Sequence, residues 1–155
     1  MPAPKIFTPE NKLAKVLGGI EALPAEKLVA AANTRVGLLR ESLRAYVRSK
    51  VEIILSFTDA SEVDLFTECA AIEDAALGVA EVAGAAGLAA VGEVARGISA
   101  MLASLRSRGA WHTEALRVHI ASLAIVSQNG GAGSAENDLV NTRLAVMRRA
   151  IGIVE

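Results

Sequence analysis

An all-α fold is predicted by three observations. Apolar residues recur at alternating steps of three and four along several long stretches. Aromatic residues make up only 3% of the chain, while alanine, the strongest helix former, and leucine are abundant. Long alternating runs of β-branched residues, which would signal strands, are absent. The clearest stretch is Ser61 to Arg108. Its first part carries Leu65, Cys69, Ile72, Ala76, Val79 and Ala83, and its second carries Leu88, Val91, Ala95, Ile98, Leu102 and Leu105. Each is the one-sided stripe of a helix packed in a bundle. Between them, Gly84-Ala85-Ala86-Gly87 predicts a tight connection, because glycine lets the backbone leave the helix. At 155 residues the chain fits one helical domain with a real core. The expected architecture is an antiparallel up-down bundle: four long helices, an N-terminal arm and a C-terminal helix.

The elements follow in order. Residues 1–20 read as an arm: Thr8 caps a short helix with Pro9 at its first position, and Gly18-Gly19 ends it. Pro24 opens a long helical run to Phe57, with Leu28, Ala32, Val36, Leu39, Leu43, Tyr46, Val47, Val51, Ile54 and Phe57 as its apolar positions. Its ~34 residues would reach about 50 Å, more than a compact bundle of this size needs. The run therefore either breaks near Asn33 or Gly37, or its first part projects and offers a surface for a second copy of the chain, a homodimer.

Residues 61–127 form the central bundle. Ser61 with Asp64 three positions on resembles a capping box. The hairpin's second helix stops near Gly109, and the next runs from about Thr113 to Ser127, with Trp111 and Leu116 placed to staple its start. Residues 128–134 are a flexible linker by composition. They lack the Lys-Ser/Thr of a phosphate loop. Ser134 caps the last helix, over residues 135–155, whose apolar side is Leu139, Val140, Leu144, Met147 and Ile151.

Net charge is −1, so there is no general attraction to nucleic acid or anionic lipid. The charge is unevenly spread: the first 57 residues and the last 50 are net basic, while the stretch between them holds eight acidic groups and only Arg96. Either acidic and basic helices are neighbours, or the central hairpin presents an acidic docking surface. The uncharged window Val82 to Gly92 is far short of the ~20 residues that span a bilayer. The first residues lack the apolar run of a signal peptide. The lone Cys69 lies on an apolar stripe, as a small hydrophobe in a reducing compartment does. These observations predict a cytoplasmic protein that touches neither membrane nor nucleic acid.

Candidate chemistry is sparse. His112 and His119 share a helix face, but no cysteine or carboxylate set completes a metal site, and no cofactor motif is present. His119 adjoins the Leu116, Ile120, Leu123 stripe, where a buried structural histidine is the plain reading and a ligand or phospho-acceptor the sharper one. Arg40, Arg44 and Arg48, spaced by four, line one face that either meets an acidic partner or pairs within the bundle. Glu73, Leu77 and Glu81 share a face of the hairpin, with Leu77 as an apolar anchor between acids or as a core residue under a neighbouring helix. Asp138 and Asn141, three apart, match the acid and amide with which helical phosphatases aim water at an aspartyl phosphate, although an acid at a helix start is also ordinary dipole chemistry. No nucleophile elbow, kinase signature or dinucleotide fingerprint occurs. The expectation is a protein-binding module, not an enzyme.

The central hairpin resembles the second and third helices of histidine phosphotransfer domains. Ala83 and Gly87 fall at that family's small residue and last glycine, Leu88 to Leu105 on the following helix, and Arg108-Gly109 on the turn. Leu77 stands where the family has its phospho-accepting histidine, Ala80 where it has lysine and Glu81 where it has glycine. The chain as a whole is similar to the small CheE-type helical proteins of alphaproteobacterial chemotaxis operons, through Asn11-Lys12-Leu13, Ala85-Ala86-Gly87-Leu88, Gly109-Ala110-Trp111 and Arg117-Val118-His119. The resemblance implies a degenerate phosphotransfer-like bundle without transfer chemistry, acting as an adaptor beside a response-regulator receiver domain.

Overall fold

A computed structural model describes residues 25–153, and all its regular structure is helical. The expected arm over residues 1–20 lies outside the described residues. Six helices are present among those described: α1 (Ala25–Leu55), α2 (Glu62–Thr67), α3 (Cys69–Val82), α4 (Ala89–Arg108), α5 (Thr113–Gln128) and α6 (Ala135–Ala150). The chain divides into two units, residues 1–37 and residues 38–155. The core, the face of Leu77 and the cleft described below belong to the second.

The long N-terminal run is a single α-helix, unbroken at Asn33 and Gly37. Its apolar row changes character along its length. Leu28, Val36 and Leu39 are exposed, whereas Val47, Val51 and Ile54 are buried in the core.

α4 is the hub of the second unit, since it packs against α3, α5 and α6. Its buried residues Val91, Val94, Ala95, Ile98 and Leu102 meet Ile72, Ala76, Val79 and Ala83 of the α3 side and Leu116, Ile120 and Leu123 of α5 in one cluster. The α3–α4 contact is close because both faces are small: a Cβ on Gly92 would lie 3.0 Å from that of Ala83. The expected connection is present. α3 ends at Val82, Gly87 takes a left-handed φ of 76°, and the Leu88 amide donates to the Ala83 carbonyl at 2.8 Å, which closes the turn.

The hairpin's first helix departs from the expected single run. It is interrupted at Glu68, which separates α2 from α3. Contacts made far along the chain hold the short α2. Glu62 accepts hydrogen bonds from Trp111 Nε1 at 3.0 Å and Thr113 Oγ1 at 2.7 Å, and Phe66 meets the Trp111 ring edge-on at 5.5 Å. Trp111 thus joins α2 to the start of α5, and with Leu116 it also lines one small cavity. The local caps form where the sequence places them. Ser61 Oγ accepts from the Asp64 amide and donates to its carboxylate, and Ser134 Oγ accepts from the Asn137 amide. Leu139, assigned to the apolar side of the last helix, is exposed, while Leu144 is buried. Cys69 is half-buried beside the core. No helix among the described residues is long and apolar enough to cross a membrane.

Candidate functional site

The hairpin helix α3 divides its polar residues between two sides. Glu73 is 9% exposed and turns toward α4, where Arg106 donates to its carboxylate. Asp74 is exposed and receives Lys50 Nζ of α1 at 3.0 Å. The hydrogen bond that Lys50 donates to Asp74 raises the Lys50 pKa above the ordinary lysine value, more than the opposing desolvation lowers it. Lys50 also sits 5.9 Å from the centre of the Tyr46 ring. The Tyr46 hydroxyl occupies the space above Gly78, where a Cβ would meet it at 2.6 Å. These two contacts join the acidic α3 to the basic second half of α1, so neighbouring helices neutralise part of the uneven charge.

Leu77 lies between these contacts and is 49% exposed, although Ile72, Ala75, Ala76 and Val79 around it are buried. Glu81, one turn further on, is exposed as well. Glu73, Leu77 and Glu81 therefore do not share one exposed face. Glu73 faces α4, and the acids flanking the exposed leucine are Asp74 and Glu81. The acidic row does not pair with Arg40 or Arg44. Arg40 is exposed; Arg44 donates through Nε to the Ala86 carbonyl at 3.0 Å and through Nη1 to Glu41 at 3.2 Å. The missed signal for Glu73 was Arg106 at the end of α4, which a hairpin with a tight turn brings back alongside the start of α3.

His119 is fully buried. Its Nδ1 lies 2.8 Å from the Ala115 carbonyl and so carries the hydrogen, which leaves Nε2 to accept from Arg148 Nη1 at 3.1 Å. Gly97 makes room for this pair, because a Cβ there would meet both Arg148 and His119. A histidine closed in this way is a structural link between α5 and α6, out of reach of a phosphoryl donor. The Asp138 and Asn141 pair does not converge on open space. Asp138 is exposed, while the half-buried Asn141 donates its amide to the Ala90 carbonyl at 3.4 Å. Among the described residues no group of three or more histidine, cysteine or acidic side chains could hold a metal ion.

Residues 128–134 are tied to the bundle. Gly131 is buried with φ of 68°, its amide donates to Val126, and its carbonyl accepts the Ala90 amide at 3.1 Å. Asn137 Nδ2 donates to the Ala132 carbonyl at 2.7 Å. Comparison of the chain with protein-family models, curated proteins and solved structures finds no match.

Proposed function

We propose that this chain is a non-enzymatic signalling adaptor: an up-down, phosphotransfer-like bundle that docks a response-regulator receiver domain on the outer side of α3. The observation that supports this reading is Leu77, a large apolar side chain half in solvent on a helix whose other face is firmly packed. Asp74 and Glu81 give it a charged rim, the make-up of a small protein-binding patch. The resemblance to phosphotransfer domains puts the partner's landing site at this position, and the leucine in place of histidine fits docking without transfer.

The test is a titration of the full chain with a receiver domain of a chemotaxis regulator, in its free and phosphorylated forms. Saturable binding is expected, with no change in the receiver's dephosphorylation rate. Leu77→Asp should abolish the binding at a cost of less than about 1 kcal/mol in stability, since the side chain is half exposed. Binding that survives Leu77→Asp overturns the docking site. Dephosphorylation that accelerates and depends on Asp138 or Asn141 would make the protein a phosphatase instead.

A second reading, self-association, is supported by the exposed row Leu28, Val36 and Leu39 on α1. With the exposed Ala32 between Leu28 and Val36, the steps of four, four and three suit pairing with the same row of a second copy. Light scattering on the eluting peak should then give a dimer mass that Leu39→Glu reduces to the monomer.

A further inference from the structure

A second surface of the bundle has a different chemistry. A cleft of about 320 Å³ lies between the second half of α1, the start of α4 and the α5–α6 loop. That volume is at the lower end of the range for small-molecule sites. Val47, Val51 and Val91 are buried and form its apolar floor with Leu88. Arg44 and Arg48 stand in its wall, with Ser127, Gly130 and Gly131 opposite, and no carboxylate among the described residues lines it.

Three features make this cleft favourable to an anion. Arg48 has no ion-pair or hydrogen-bond partner among the described residues, and Arg44, which donates through Nε to the Ala86 carbonyl and through Nη1 to Glu41, keeps Nη2 for a ligand. The N-terminus of α4 lies beside Leu88 with no side-chain cap and with only the Gly131 carbonyl on its Ala90 amide, so its dipole adds positive potential. The Ser127 hydroxyl is buried in the wall and has no hydrogen-bond partner among the described residues. The floor decides which anion fits. Inorganic phosphate would leave the valines uncovered, whereas a carboxylate with an apolar body covers them and offers two oxygens to a guanidinium.

We propose that this cleft binds a small organic monocarboxylate, its apolar body on Val47, Val51 and Val91 and its carboxylate held by Arg48 and Arg44. The proposal is independent of the docking face on α3, which lies on other residues.

The experiment titrates the full chain with octanoate, with octanol as the uncharged analogue, and with acetate and inorganic phosphate as anions lacking the apolar body. Affinity is read by calorimetry and position by amide NMR shifts. Saturable octanoate binding is expected, with shifts centred on Leu88, Ser127, Gly130 and Gly131. Octanol, acetate and phosphate should each bind at least about tenfold more weakly, the loss expected when a charge-assisted hydrogen bond or the apolar contact is missing. Arg48 is exposed, so Arg48→Gln should leave the melting temperature unchanged and weaken octanoate by about tenfold or more. Absence of saturable octanoate binding, shifts elsewhere on the bundle, equal affinity for octanol or phosphate, or an unaffected Arg48→Gln variant would each overturn the proposal.

Discussion

Gly130 and Gly131 are adjacent and share a left-handed backbone, with φ of 83° and 68°, yet their surroundings differ. A Cβ on Gly130 would meet nothing within 4 Å. One on Gly131 would lie 2.8 Å from Val91 Cγ2 and 2.9 Å from Leu88 Cδ2. Carbon atoms settle at about 3.5–4.0 Å, so both contacts are short by at least about 0.6 Å. Val91 is buried and β-branched, with little freedom to swing aside. Replacing either glycine by alanine costs about 1 kcal/mol for the left-handed backbone. The alanine's smaller unfolded-state entropy offsets part of this equally at both positions. Only Gly131→Ala adds overpacking, worth about 2 kcal/mol. Thermal unfolding followed by far-UV circular dichroism should therefore place Gly131→Ala roughly 4–8 °C below Gly130→Ala. Equal melting temperatures for the two variants would refute the claim that the loop is packed onto the start of α4.

Two further outcomes follow from the polar contacts of α3. Arg106→Ala leaves the Glu73 carboxylate, largely buried, without its donor and should cost about 1–2 kcal/mol in chemical denaturation; adding Glu73→Leu should recover part of that loss, which a double-mutant cycle would read. Lys50 should titrate above the ordinary lysine value in NMR and return toward it in Asp74→Asn; because its folded pKa is raised, the contact contributes stability below the unfolded lysine pKa and loses it as pH rises through the folded one.

What was legible in the sequence was what depends on neighbours in sequence. The stripes of α3, α4 and α5 follow from the helical period alone, and the caps at Ser61 and Ser134 need only the next three residues. The interruption at Glu68 was not legible, because the row Leu65, Cys69, Ile72 runs smoothly through it; the bonds from Trp111 and Thr113 to Glu62 accompany the break from about fifty residues away. Glu73 read as a surface acid for the same reason: its partner Arg106 is 33 positions distant. The face bearing Leu77 could be found by spacing, but not which acids flank it. The cleft was invisible to motif reading, since its lining comes from three separate segments and no short pattern spans them.

The peptide at Ala90 joins three parts of the molecule. Its amide hydrogen goes to Gly131 and its carbonyl receives Asn141, so the first turn of α4 is completed by chain that follows it by some forty and fifty residues. A helix usually secures its first amides with its own flanking side chain, and Leu88 has none to offer. The order of assembly is thereby constrained. α3 and the body of α4 can pair as soon as the tight turn between them closes. The opening turn of α4 reaches its final hydrogen bonding only after α5 has docked and delivered the glycine loop. A chain cut before residue 131 would lack both the partner of the Ala90 amide and the glycine wall of the arginine-lined cleft.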